Sequence, residues 1–195
     1  MRLFIALNLS DGAKEGVYDA ARPLREAGLP VRWLDPATYH LTLKFLGNPH
    51  PDLTPRVSAA IDEVGGKSRP FSMEIRGFGA FPTIRRPRVL WAGVEPVLAL
   101  RCLKQDVEWG LASLGFNRET SAFHPHITVG RASPETGAGA FRGLDALVAD
   151  LGFRHRIDVT TVELMRSHLS RAGPRYSVLS SAALKPAESA QSGAR

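Results

Sequence analysis

The sequence predicts an α+β fold: mainly antiparallel sheets flanked by helices, built as two related lobes in pseudo-two-fold duplication around a central cleft. Three observations carry this. His40-Leu41-Thr42-Leu43 and His126-Ile127-Thr128-Val129 both alternate polar and apolar residues, as a half-buried strand does, so each His and Thr share one face and the aliphatic pair the other. Arg2-Leu3-Phe4-Ile5-Ala6-Leu7 resembles Arg88-Val89-Leu90-Trp91-Ala92-Gly93-Val94, and each of these arginines stands 38 residues before its histidine. Each interval reads strand, helix, strand, which marks an internal duplication. The strands divide between hairpins and helix crossovers without a regular βαβ rhythm. We expect a single domain of two lobes over residues 1–183 and a disordered tail over 184–195, where the chain turns small and polar.

Taken in order, residues 2–9 make the first strand. Ser10 or Asp11 caps a helix with Val17, Ala20, Ala21 and Leu24 on one face. Pro23 ends or kinks it. Val31 to Leu34 is a short extended piece, and Asp35-Pro36 turns into the His40 strand, which Gly47-Asn48-Pro49 stops. A second helix spans about 52–64 by the spacing of Leu53, Val57, Ala60, Ile61 and Val64, with Gly65-Gly66 ending it. Phe71 to Phe78 alternates as a strand, and a basic loop over 82–88 precedes the Arg88–Val94 strand. Pro96 opens the clearest helix, striped by Leu100, Leu103, Val107, Leu111 and Leu114. Residues 132–143, rich in Gly, Ala and Ser, read as loop. A short helix at about 144–151 and strands near 155–166 and 175–181 complete the pattern.

The 195 residues carry a net charge of +6, which favours an anionic partner such as nucleic acid. The basic residues are scattered, with one cluster at Arg85, Arg86 and Arg88. A single cysteine, Cys102, excludes a disulfide framework within the chain and a Cys-rich zinc site, and suits a reducing cytoplasm. It is expected as a buried small hydrophobe in the third long helix. No segment approaches the ~20 apolar residues of a membrane span.

Two imidazoles on opposite sides of a scissile P–O bond suit in-line displacement, one taking a proton from the attacking oxygen and one giving a proton to the leaving oxygen. Each Thr hydroxyl can donate to a phosphoryl oxygen. The chemistry requires no metal or other cofactor, and no Asp or Glu lies within either motif. Arg131 is a natural phosphate partner, but strict alternation puts it on the face opposite His126, so it serves the cleft only if the strand bends or ends before it. Lys44 shares the His40 face and either touches phosphate or is solvated, the latter favoured. Phe45 and Trp33 are candidates to stack on a base, with core packing the favoured reading of each. The direction of His124 is obscured by Pro125. His50, His155 and His168 lie outside the repeat and are expected at the surface or in structural roles.

The segments RLFIALNL, HLTLKFLG, PRVLWAGV, FHPHITVGR and LMRSHL…GPRYSVL fall in the order seen in the two-histidine (2H) phosphoesterase superfamily, and the chain resembles its bacterial LigT-like branch of RNA 2′,3′-cyclic phosphodiesterases, also called 2′-5′ RNA ligases. The resemblance covers residues 1–181. It implies a bilobed fold with both motifs lining a groove, and metal-independent hydrolysis of RNA 2′,3′-cyclic phosphate ends to 2′-phosphates. It implies His40 as the proton donor to the 3′ oxygen and His126 as the proton acceptor from water, with Thr42, Thr128 and Arg131 binding substrate. Ligation to a 5′-hydroxyl would be the same site in reverse, and a nucleotide- or RNA-end-binding module with little catalysis is the alternative. The expected partner is an RNA or oligonucleotide with a 2′,3′-cyclic end. A cytoplasmic monomer is expected, with no membrane association and no obligatory protein partner.

Overall fold

A computed structural model of the chain describes residues 2–133, 136–137, 139–170 and 173–185. In order come β1 (Arg2–Asn8), α1 (Asp11–Ala20), α2 (Arg22–Glu26), β2 (Val31–Trp33), a 3₁₀ turn at Pro36–Thr38, β3 (His40–Gly47), α3 (Leu53–Lys67), β4 (Phe71–Thr83), β5 (Arg86–Val94), α4 (Leu98–Ala112), β6 (His126–Ala132), α5 (Leu144–Asp150), β7 (Arg154–Val159), β8 (Thr161–Ser170) and β9 (Gly173–Ala183). All nine strands join one open sheet in the order β7-β4-β5-β6-β3-β1-β8-β9, with β2 added on β6, and every pairing is antiparallel.

The order is symmetric about the β3–β6 seam. Outward from it, β3-β1-β8-β9 on one side mirrors β6-β5-β4-β7 on the other. The seam is thin: Leu41 opposite Ile127 is its one registered pair. The two halves are nonetheless one packing unit. Helices cover a single face of the sheet, and they cross over the seam. α1, which leaves β1, packs on β7, and α5 packs on β4, whereas α4, which leaves β5, packs on β3 and on α3, itself laid over β8 and β9. One continuous apolar cluster results, from Leu3, Ile5 and Leu7 of β1 to Ile75, Leu90, Ile127, Leu144 and Leu164.

Local chemistry accounts for most element ends. The Ser10 hydroxyl accepts the Ala13 N–H and caps α1. Pro23 near the start of α2 separates it from α1 at Ala21. Gly115, at φ +89°, takes the left-handed conformation after α4.

Several expectations are corrected. α3 runs through Gly65 and Gly66 to Lys67; Gly65 is there for approach, since a Cβ on it would stand 2.9 Å from the Ala183 carbonyl oxygen on β9. The basic loop at 82–88 is a tight hairpin, with Arg86 to Arg88 inside β5. The strand near 155–166 is two strands, β7 and β8. Cys102 lies in α4 but is exposed, off the Leu100/Leu103/Val107/Leu111 stripe. Leu184, placed in the tail, is buried at 4% exposure, and Lys185 donates its N–H to the Ser68 carbonyl; the rest of the expected tail lies outside the described residues.

Lys44 is the largest correction. It is 2% exposed and sits on the helix side, its Nζ 2.6 Å from Glu108 of α4 and 2.8 Å from the Asn117 carbonyl. Lys104 bonds the other Glu108 oxygen and reaches Glu119 at 2.8 Å, and the Glu119 N–H also donates to Glu108. One carboxylate thus answers two buried ammonium groups. Burial alone would raise the Glu108 pKa, but hydrogen bonds from Lys104 and Lys44 outweigh it and hold the carboxyl below its usual value. Glu108→Ala, which strands both lysines, is expected to lower the unfolding free energy by about 3–5 kcal/mol in urea melts. Lys44→Met, which leaves Glu108 paired to Lys104, should cost clearly less; equal losses would show that the carboxylate does not hold the cluster. The depressed pKa makes this contribution present above the unfolded-state pKa and lost as pH falls through the lower folded value.

Candidate active site

The sheet face opposite the helices carries both histidines. β3 and β6 run antiparallel with Leu41 across from Ile127, so the same register sets His40 beside Thr128 and Thr42 beside His126. The imidazoles occupy one diagonal of a four-residue square and the hydroxyls the other. All four side chains are half-buried. Neither threonine hydroxyl has a partner among the described residues.

Both rings are fixed in the same way. His40 Nδ1 lies 2.7 Å from the Thr38 carbonyl oxygen, and His126 Nδ1 lies 2.7 Å from that of His124. A carbonyl only accepts, so each Nδ1 carries the proton and each Nε2 is left to exchange one. Aromatic rings hold the imidazoles from the flanking strands. Phe4 and Tyr176 each have their ring centre 4.9 Å from that of His40. Phe81 meets His126 edge-on at 5.0 Å and packs on Trp91. Trp91 can lie across β4 because Gly79 is bare; a Cβ there would fall 2.3 Å from the indole ring. The His-x-Thr pattern does not mark these four aromatics, although the two-residue period does place Phe4, and Trp91 on its strand, on the site face.

Burial lowers the pKa of both histidines from the ordinary value, opposed by the carbonyl each ring bonds. His126, Lys14 and Arg131 lower His40 further, and His124 and Arg131 lower His126 further. The effect of His126 on His40 and the reach of Arg131 to both rings, and to Tyr176, put these groups in one electrostatic neighbourhood. His40 also lines a hollow of about 650 Å³ with Asn8, Lys14, Asp35 and Tyr176; His126 is not part of that lining.

Arg131 reaches this face through a β-bulge. Trp91 pairs with Thr128 but Leu90 with Gly130, so Val129 is an extra residue in β6. Beyond it the alternation is reversed, and Arg131 pairs with Val89, which shares the Trp91 face. The same defect recurs in β3. Ala6 pairs with Thr42 but Ile5 with Lys44, leaving Leu43 extra. That bulge sends Lys44 to the helix side and brings Phe45 onto the site face, 68% exposed. Phe45 therefore does not pack in the core as favoured, whereas Trp33 does pack against it.

The remaining histidines fall outside the square. His124 is exposed beside Phe81. His50 faces Asp52, His155 stacks on Phe153, and His168 meets Ser177. Among the described residues, no three His, Cys, Asp or Glu side chains cluster as metal ligands do, and no helix is long and apolar enough to cross a membrane.

Comparison with known proteins gives a consistent picture. Residues 7–91 match the model of the LigT like Phosphoesterase family. An RNA 2′,3′-cyclic phosphodiesterase of Aeropyrum pernix is 35% identical over 80% of this chain and 88% of its own. One from Methanothermobacter thermautotrophicus is 31% identical over 90% and 95%. Among solved structures, TT0787 of Thermus thermophilus superposes with a TM-score of 0.77 at 26% identity, over 94% of this chain and 98% of that one. E. coli LigT complexed with 3′-AMP gives 0.74 at 25% identity, over 95% and 98%. With two His-x-Thr strands at the seam of a symmetric sheet and relatives of this kind along nearly its whole length, the chain belongs to the LigT-like family of two-histidine phosphoesterases.

Proposed function

We propose that the protein hydrolyses RNA 2′,3′-cyclic phosphate ends to 2′-phosphates by general acid–base catalysis between His40 and His126, without a metal. One observation carries the reading: two imidazoles, each locked with its proton on Nδ1 and its Nε2 free, share one helix-free face with two unpartnered threonine hydroxyls. The curated relatives that bear the name RNA 2′,3′-cyclic phosphodiesterase support it.

In this mechanism the cyclic phosphate sits over the square. His126 Nε2 takes a proton from water as its oxygen attacks phosphorus. The bond to the 3′ oxygen breaks in line, and protonated His40 delivers its Nε2 proton to that oxygen. The products are a 3′-hydroxyl and a 2′-phosphomonoester. Thr42 and Thr128 donate to the non-bridging oxygens, where charge accumulates, and Arg131 balances the anion from the strand beyond. Exposed Phe45 offers a flat apolar surface at the edge of the site for a base. Ligation is the same step with a 5′-hydroxyl in the place of water: its oxygen attacks phosphorus and gives its proton to His126, the bond to the 3′ oxygen breaks with a proton from His40, and a 2′-5′ phosphodiester and a 3′-hydroxyl result.

The assignment is tested on a short RNA ending in a 2′,3′-cyclic phosphate. His40→Ala and His126→Ala should each lower kcat by ~10²–10⁴-fold, turnover should survive EDTA, and the product should be a 2′-phosphate. Losses under tenfold in both variants would remove the roles, and a 3′-phosphate would reverse the placement of substrate between the rings.

The pH profile of kcat/KM reports the free enzyme. Activity needs one proton shared by the pair: too few at high pH leaves no acid, too many at low pH leaves no base. Since both pKa values are depressed, the bell should have its maximum below the ordinary imidazole value of about 6.5. The maximum for kcat should lie higher, because bound phosphate favours the protonated rings. A kcat/KM maximum well above neutrality would contradict desolvation of the pair.

A further inference from the structure

The β4–β5 hairpin, the end of β6 and described residues between β6 and the start of α5 line a second, open hollow of about 990 Å³ that the phosphodiesterase chemistry does not use. Arg85, Arg86, Arg88 and Arg142 line it, and Asp145 is its one carboxylate among the described residues. None of the four guanidinium groups has an ion-pair or hydrogen-bond partner through its side chain there. All four are exposed. Among the described residues, four exposed cations against one carboxylate repel one another and attract a ligand that carries several negative charges in a row.

The hollow is connected to the histidines by β6. From His126 the strand runs to Ala132, which lines the hollow; six steps of a strand span about 20 Å. Along this path Arg131 stands directly across from Arg32 on β2, two like charges side by side where a strand normally avoids them. On the far side, Arg86 pairs with Thr83, two residues from Phe81 on the site face. Cations therefore cluster over the last part of the route and at its end. A substrate held by a 3′-terminal phosphate between the histidines has only its 5′ side free to extend. A single nucleotide is too short to fill both places.

We propose that this hollow binds the phosphodiester backbone of the RNA strand 5′ to the cyclic end, so that the enzyme takes oligonucleotides in preference to free cyclic nucleotides. The inference rests on the phosphodiesterase reading of the histidine site. Contacts to phosphates read length and charge and carry no base sequence, so the preference is for chain length.

The test compares the wild type with Arg85→Ala/Arg86→Ala/Arg142→Ala on two substrates: a nucleoside 2′,3′-cyclic monophosphate and an RNA of about eight nucleotides with a 2′,3′-cyclic end. Both are assayed between about 50 and 200 mM salt. The wild type should favour the longer substrate, chiefly through KM. In the triple variant the slope of log(kcat/KM) against log[salt] for that substrate should become shallower by about 2, or about 0.7 per arginine. Its kcat on the mononucleotide should stay at the wild-type value, which also verifies folding. Arg85→Ala alone, in the hairpin turn, should give about a third of the change. Equal kcat/KM for the two substrates in the wild type, or an unaltered slope in the triple variant, would overturn the proposal while leaving the phosphodiesterase reading intact. Turnover of neither substrate by the wild type would remove that reading, and the proposal with it.

Discussion

The arrangement depends on a one-residue defect made twice. A β-strand alternates its side chains without exception until a residue is inserted, and an inserted residue exchanges the two faces for everything beyond it. Leu43 in β3 and Val129 in β6 are those insertions, 86 residues apart like the histidines they follow. Before each bulge, His and Thr face the substrate side. After it, Phe45 and Arg131 face that side as well, and Lys44 and Gly130 face the helices. A perfect strand would bury Phe45 and Arg131 and present Lys44 on the histidine face. The two halves carry different residues at the repeated geometry, an exposed aromatic ring in one and a cation in the other.

The helix side answers to the same defect. Once β3 delivers an ammonium group into the apolar layer, something must compensate it, and Glu108 of α4 does. Lys104 and Glu119 complete a network of alternating charge. Because α4 leaves β5 in one half and packs on β3 in the other, this network ties the halves together directly behind the seam, where the strands share little backbone pairing. The exchanged helices have the same consequence on a larger scale: neither half can bury its apolar face without the other's crossover. The position of one histidine relative to the other is thereby coupled to the packing of the whole core.

On the opposite face, rigidity comes from backbone carbonyls and aromatic rings in place of acidic side chains. The Thr38 and His124 carbonyls define the tautomer and leave Nε2 as the exchanging atom, without adding the negative charge that a carboxylate partner would bring next to a phosphate. Phe4, Tyr176, Phe81 and Trp91 withdraw the rings from water. Desolvation weakens their hold on protons, and in the proposed reaction the charge of a bound phosphate would restore it.

The sequence by itself determined the α+β class, the duplication and the histidine pair to which the proposed chemistry is assigned. Those depend on local regularities: a two-residue period, a repeated spacing, and residue types with few other reasons to recur together. It also located most elements, because caps, prolines and apolar stripes act within a turn or two of chain. Tertiary structure decided what depends on partners distant in the chain. Lys44 became a core residue and Arg131 a site residue because a bulge is visible only against the neighbouring strand. Gly65 did not end its helix because the need it meets is the approach of β9. The basic stretch at 82–88 became a hairpin because β4 and β5 complete each other's hydrogen bonds. The expected antiparallel sheets join as one sheet for the same reason, since pairing along β3 and β6 is a property of two segments and is written in neither alone.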